Sequence, residues 1–146
     1  MTNRIASPQP GLALGALLLA ISVGACSKSP TAPTPVSTAP TLSQIQTQIF
    51  DPGCASCHTD VGRTPSGGTN LKAGASFAAL VNVPSNAKTG AIRVIPGNAN
   101  GSYLIQKLEG DAGIVGGRMP RTGPPFLTDA QVKMIRDWIA AGAPNS

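Results

Sequence analysis

Apolar residues in this chain form one long run near the start and several shorter sets spaced as on one face of a helix. The clearest set lies near the end, where Thr128 stands before it and Gln131 follows three residues later. This order predicts a helix that begins with a capping box, with Leu127 and Val132 as a hydrophobic staple, and that ends at Gly142. Its apolar face consists of Val132, Ile135, Trp138, Ile139 and Gly142.

Three weaker patterns predict shorter helices. The first covers 42–50 and ends in a turn at Asp51-Pro52-Gly53, the second lies within 76–82, and the third covers 100–108. The residues expected to face inward are Leu42, Ile45, Ile49 and Phe50 in the first helix, Phe77 and Leu80 in the second, and Tyr103, Leu104, Ile105 and Leu108 in the third. The predicted loops, rich in glycine, proline and polar residues, are 63–70, 83–97 and 110–125.

The long apolar run covers 12–23 and follows a single basic residue, Arg4. It is too short to span a bilayer, so 1–25 is predicted to be an export signal. The signal ends in Val23-Gly24-Ala25-Cys26, which resembles the lipobox of bacterial lipoproteins, although those favour leucine where this chain has Val23. Cleavage before Cys26 would leave this cysteine lipidated and anchored in a bacterial membrane. Ordinary signal-peptidase cleavage after Ala25 is the alternative.

Positions 26–40 are predicted to be a tether between this anchor and a folded domain at 41–146. Prolines at 30, 33, 35 and 40 are spaced by Ser, Thr and Ala, a composition that favours extended polyproline II. The positions after Cys26 would reach about 40 Å at ~3.1 Å each. We therefore expect an exported, lipid-anchored protein that faces the periplasm or the cell surface.

Composition indicates a loop-rich domain with a thin core. The 146 residues include 17 glycines and 14 prolines, and only 3% are aromatic. A large buried cofactor would make up for this shortage of apolar side chains, and the fold would then depend on that cofactor. The formal charge of +5 is not gathered into basic runs with aromatic residues between them, so we expect no nucleic-acid partner.

The candidate chemistry lies in Cys54-Ala55-Ser56-Cys57-His58, which contains the chain's only histidine. Each thiol can add to one vinyl group of a porphyrin, and the adjacent imidazole can bind the haem iron from the same side. The spacing therefore predicts one covalently bound haem c, held by Cys54 and Cys57 with His58 as an axial ligand. A structural zinc site needs four Cys or His ligands, and a thioredoxin-type disulfide belongs to a βαβ unit that this pattern lacks.

A second axial ligand must come from another residue type, because there is no second histidine. Methionine is the best candidate, since a thioether suits low-spin haem iron. Met134 lies about 100° from the centre of the last helix's apolar face, a position more typical of packing. Met119 lies in a predicted loop before Pro120, and a loop can fold its side chain over the iron. We therefore predict Met119 as the second iron ligand.

These features together resemble class I, mitochondrial-type cytochrome c: a helix leading into the Cys-x-x-Cys-His motif, Arg118-Met119-Pro120 in a glycine-rich stretch, and a capped last helix. Ser102-Tyr103-Leu104 is similar to the single-haem domains of bacterial secreted proteins. The resemblance covers about 41–143. It implies a small all-α fold of four to five short helices around the haem, with the same two axial ligands. The first and last helices should cross, with Ile45 and Ile49 against Ile135 and Trp138.

With both axial positions filled, the iron has no site for substrate, so the expected function is one-electron transfer between a redox donor and a redox acceptor rather than catalysis. The alternatives are a gas-binding or redox-sensing module with a labile Met119 and an electron-entry subunit of a larger complex. Weak peroxidase-like activity is a further alternative, although the chain has no distal histidine.

Arg118 and Arg121 flank Met119. They are predicted to steer an acidic partner. The alternatives are that they are solvated loop residues, or that one of them pairs with a haem propionate.

Overall fold

The computed structural model describes residues 38–59 and 67–146. The predicted export signal, Cys26 and positions 26–37 of the predicted tether lie outside the described residues, as do positions 60–66 of the domain. Within them, the chain forms helices joined by loops that contain isolated β-bridges but no strand. None of the helices in these residues is long and apolar enough to cross a bilayer.

The first helix runs without a break from residue 42 to residue 53. Its segments are α1 (Leu42–Ile45), a π-helical segment (Gln46–Phe50) and α2 (Asp51–Gly53). Thr41 begins it with a capping box formed with Gln44. The prediction that Asp51-Pro52-Gly53 ends the helix in a turn was wrong. The π-helical segment just before Pro52 already alters the i→i−4 hydrogen-bond pattern, so the missing N–H of this proline does not end the helix.

Two short helices follow, α3 (Ser76–Leu80) and α4 (Tyr103–Glu109). α3 lies within the predicted range, whereas α4 is shorter than predicted. α4 begins at Tyr103 rather than near 100 because Asn98 folds the preceding chain into a turn. The side-chain oxygen of Asn98 accepts the Gly101 N–H at 2.8 Å, and its carbonyl accepts the Ser102 hydroxyl at 2.8 Å. Such local hydrogen bonds compete with helix formation.

The last helix, α5 (Asp129–Ala140), begins with the predicted capping box. The Thr128 hydroxyl accepts the Gln131 N–H at 3.3 Å, and the Gln131 side chain accepts the Thr128 N–H at 2.9 Å. A capped helix start of this kind contributes about 1 kcal/mol. Four residues of the predicted apolar face, Val132, Ile135, Trp138 and Ile139, are in the core, whereas Gly142 lies beyond the helix and is exposed.

α1 packs against α5, as the resemblance implies. Ile45, Ile135 and Trp138 are all completely buried in the same apolar cluster. The chain beyond α5 folds back on this crossing: the Trp138 indole donates to the Pro144 carbonyl at 2.9 Å, and the Ser43 N–H donates to the Ser146 carbonyl at 3.0 Å. The beginning and the end of the described domain therefore pack into the same apolar core.

Candidate functional site

The Cys-x-x-Cys-His motif lies on the turn that follows α2. The N–H groups of Cys57 and His58 both donate to the Cys54 carbonyl, at 3.1 and 3.0 Å. The His58 carbonyl accepts the Leu71 N–H at 2.8 Å, and Leu71 is itself a core residue. The first helix thus delivers the motif, and the contact with Leu71 fixes it to the chain beyond.

The two cysteines of the motif differ in exposure. Cys57 is exposed, whereas Cys54 is half-buried against the core, and its thiol donates to the Ile49 carbonyl at 3.6 Å. Burial, with a smaller contribution from the charge of Cys57, raises the pKa of the Cys54 thiol to about 11.

The motif borders a cavity of about 790 Å³. Cavities that hold cofactors have volumes of about 300–1,000 Å³. The lining brings the motif together with α4 and with the loop between α4 and α5. Lining residues include Cys54, Cys57, His58, Leu80, Arg93, Tyr103, Leu104, Lys107, Leu108, Met119, Arg121, Phe126, Leu127 and Ile135.

Met119, and not Met134, is among the described residues that line this cavity. Met119 is half-buried, and its N–H donates to the Lys107 carbonyl of α4 at 2.8 Å. Met134 lies on α5, where its half-buried side chain packs against the core. The structure therefore brings Met119 to the same cavity as His58 and leaves Met134 in a packing position.

Side chains of α4 tie down the loop that precedes Met119. The ammonium group of Lys107 donates to the Val115 carbonyl at 2.9 Å and to the Gly117 carbonyl. The Tyr103 hydroxyl accepts the Val115 N–H at 2.9 Å. Burial, together with the neighbouring positive charge of Arg121, lowers the pKa of Lys107.

The arginines on either side of Met119 have different surroundings. Arg118 is half-buried: its Nε donates to the Leu108 carbonyl at 2.7 Å, and its guanidinium lies 4.2 Å from the centre of the Phe126 ring. Arg121 is exposed at the cavity. Arg118 is therefore a structural residue of the loop, and only Arg121 remains a candidate for steering a partner.

A buried arginine, Arg93, also lines the cavity. It is 7% exposed, and its guanidinium donates to the carbonyls of Ala79 at 2.8 Å and Gly67 at 3.0 Å. Burial lowers its pKa, and it takes part in neither of the ion pairs found among the described residues. Arg93 thus brings a positive charge to the cavity with neutral carbonyl groups as its hydrogen-bond acceptors.

The family model for cytochrome c matches residues 47–142, which include the motif, the cavity lining and all of α5. The chain belongs to the cytochrome c family. Comparison with curated proteins and comparison with solved structures give no match. The family confirms the predicted all-α fold and the predicted haem c, which cytochromes c bind covalently and use for electron transfer.

The cavity of this cytochrome c fits a haem group. It offers two thiols for the covalent bonds, the imidazole of His58 and the thioether of Met119 for the iron, and the buried charge of Arg93 for a propionate. No three His, Cys, Asp or Glu side chains of the described residues are grouped so that they could hold a bare metal ion.

Sequence reasoning missed Arg93, Lys107 and Tyr103 as residues of the site. For Arg93 a signal was present, since it interrupts the apolar stretch between Ile92 and Val94. A charged residue in such a stretch either lies at the surface or is buried with the stretch. Charged side chains are rarely fully buried unless they are paired. Lys107 carries no comparable signal, because a lysine on a short helix is ordinarily solvated.

Proposed function

We propose that this cytochrome c is a one-electron carrier in which His58 and Met119 are the two axial ligands of the iron. When bound, haem c supplies an iron that changes between its ferric and ferrous states by a single electron. The observation that carries the proposal is that His58 and Met119 line the same cavity as the two cysteines.

His58 and Met119 leave no coordination position for a substrate if both bind the iron. A protein with this ligand set transfers electrons and does not catalyse a reaction at the metal. Methionine ligation also raises the reduction potential relative to two histidines. We therefore place the protein among electron carriers rather than among haem enzymes.

The two methionines offer a matched test of this ligand set. In the haem-bound protein, Met119→Leu is expected to abolish the sulfur-to-iron charge-transfer absorption of the ferric form and to let the ferrous form bind CO. Met134→Leu removes a thioether of the same kind from a packing position, so it should leave both properties unchanged.

Two results would contradict the proposed ligand set. If Met134→Leu and not Met119→Leu abolishes the absorption, the ligand is Met134. If the wild-type ferrous protein binds CO rapidly, the sixth position is open, and the gas-binding function is favoured over the carrier.

We further propose that the carrier is exported and tethered to a bacterial membrane through lipid on Cys26. The support is the small-residue sequence before Cys26 and the proline-rich stretch that follows it. Labelled fatty acid should enter the wild-type protein and not the Cys26→Ser variant. Equal labelling of the two proteins would refute lipidation at this cysteine and leave ordinary secretion.

For the partners, we propose acidic redox proteins that donate and accept the electron through small, transient contacts. The support is the exposed Arg121 at the cavity, together with Val115, which lines the same cavity and is 51% exposed. An apolar residue with a cation close by suits a contact that forms and dissociates quickly.

A further inference from the structure

The loop that leads to Met119 has little apolar burial to hold it in place. Residues 111–117 are exposed except for the half-buried Ile114, and they include Gly113, Gly116 and Gly117. Glycine loses more conformational freedom on ordering than any other residue, so an exposed, glycine-rich loop is costly to fix. The order of this loop must therefore come mainly from hydrogen bonds.

Lys107 holds the second half of this loop with both its side chain and its backbone. Its ammonium group donates to the carbonyls of Val115 and Gly117, in the glycine-rich part, and its backbone carbonyl accepts the Met119 N–H at 2.8 Å. Hydrogen bonds from a charged donor are stronger than those between neutral groups. Lys107 itself lies on α4 between the buried residues Ile105 and Leu108, so its backbone is fixed by the core.

We propose that Lys107 is a positioning residue that keeps Met119 on the iron and thereby keeps the sixth coordination position closed to small ligands. The inference rests on Met119 being the axial ligand. Without the ammonium group, the Met119 N–H still has its acceptor, but the stretch that includes Val115 and Gly117 is released. The loop then visits conformations in which the sulfur is off the iron, and a competing ligand selects them.

The test measures ligand exchange in the full-length, haem-bound protein. Lys107→Met retains the apolar stem of the side chain and removes its donors. We expect it to weaken the sulfur-to-iron absorption of the ferric form and to accelerate CO binding by the ferrous form at least tenfold. Lys107→Arg, which keeps a charged donor, should restore most of the wild-type behaviour.

Lys133→Met is the matched control for the change in charge. Lys133 lies on α5, its side chain is 71% exposed, and it pairs with Asp137 on the same helix. This variant should bind CO as slowly as the wild type. Equal acceleration in Lys107→Met and Lys133→Met would overturn the proposal, because net charge alone would then explain the effect.

Wild-type absorption and CO kinetics in Lys107→Met would also overturn it. A purely structural role would lower the unfolding midpoint while leaving the absorption unchanged below the transition, and this result refutes positioning. If Lys107→Met fails to fold, the ferric absorption and the rate of ferrous CO binding are measured instead in Lys107→Gln, which keeps a polar side chain of similar length. Failure of the Met119 assignment is recognised separately, because Met119→Leu would then leave the wild-type spectrum intact.

Discussion

At the scale of single residues, the most informative side chain is Arg93. A buried positive charge that lacks a counter-charge is costly, and hydrogen bonds to neutral carbonyls recover only part of the lost hydration. Arg93 meets the carbonyls of Ala79 and Gly67 in this way and faces the haem cavity. Because the fork of the guanidinium suits a carboxylate, we propose that a haem propionate is the counter-charge of Arg93.

Replacement of Arg93 by glutamine is expected to lower the reduction potential, with a shift on the order of tens of millivolts. The reason is that a nearby positive charge stabilises the ferrous haem, which carries one more negative charge than the ferric haem. Arg93→Lys retains the charge and should shift the potential less. A spectroelectrochemical titration of the three proteins measures the effect.

Arg136→Gln is the control for this titration. Arg136 pairs with Glu109 on the outside of the domain at 2.7 Å, and the hydrogen bond with Glu109 raises its pKa. Loss of its charge should leave the potential nearly unchanged. A shift in Arg136→Gln as large as that in Arg93→Gln would show that net charge, rather than a charge at the cavity, sets the potential.

At the scale of elements, the first helix is held by one buried polar side chain at the start of its π-helical segment. The amide group of Gln46 donates to Asp51 at 2.6 Å and to the Leu71 carbonyl at 2.8 Å, and its oxygen accepts the Ser76 hydroxyl at 2.7 Å. Gln46 thus joins the first helix to α3 and to the residue that hydrogen-bonds His58. π-helical turns occur often at functional sites, and this one leads directly into the haem-binding motif.

Gln46→Ala is expected to lower the free energy of unfolding by about 2–3 kcal/mol, because the buried Leu71 carbonyl and Ser76 hydroxyl lose their partner. Denaturant titration of the haem-bound protein measures the loss. Gln48→Ala changes an exposed glutamine of the same helix and should stay within about 0.5 kcal/mol of the wild type. Similar losses in the two variants would mean that helix propensity, and not the Gln46 hydrogen bonds, determines the effect.

At the scale of the whole molecule, the domain is built around its cavity rather than around a large apolar core. The core joins residues from both ends of the described domain, such as Ile45 and Trp138, while the cavity of about 790 Å³ lies among the helices and loops. Positive side chains line this cavity in the interior, at Arg93, and at an exposed position, Arg121. The exposed position of Arg121 leaves it available for the proposed contact with an acidic partner.

Arg121→Glu is expected to slow bimolecular electron transfer to an acidic acceptor several-fold at low ionic strength, because charge acts mainly on association rates. The difference should shrink as salt rises, since the screening length is about 10 Å at 0.1 M. Stopped-flow kinetics over a range of salt concentrations measure it, and the haem spectrum should stay that of the wild type.

Lys133→Glu makes the same change in net charge on the exposed face of α5 and should have a smaller effect. If both variants react at the same reduced rate, the partner responds to net charge and not to a docking face. If Arg121→Glu reacts as fast as the wild type at low salt, Arg121 has no part in steering.

The sequence by itself determined the features that depend on neighbouring positions. The haem-binding motif is contained in Cys54-Ala55-Ser56-Cys57-His58, and the start of α5 needs only Thr128 and Gln131, three residues apart. The end of the first helix was wrongly predicted, although it too is local, because proline is a helix breaker in most positions, whereas here the helix continues past Pro52 after a π-helical segment.

Only the tertiary structure decided which side chains share the haem cavity. Gln46 forms a hydrogen bond with Ser76, 30 positions away, and Arg93 forms one with Gly67, 26 positions away. No periodic pattern in the sequence indicates either pairing. The loop before Met119 has no periodicity at all, so its contacts with Lys107 and Tyr103 follow from the fold of the whole chain. Neighbouring residues fix a covalent motif or a helix cap, whereas the surroundings of a cofactor are assembled from segments that meet only after the core has formed.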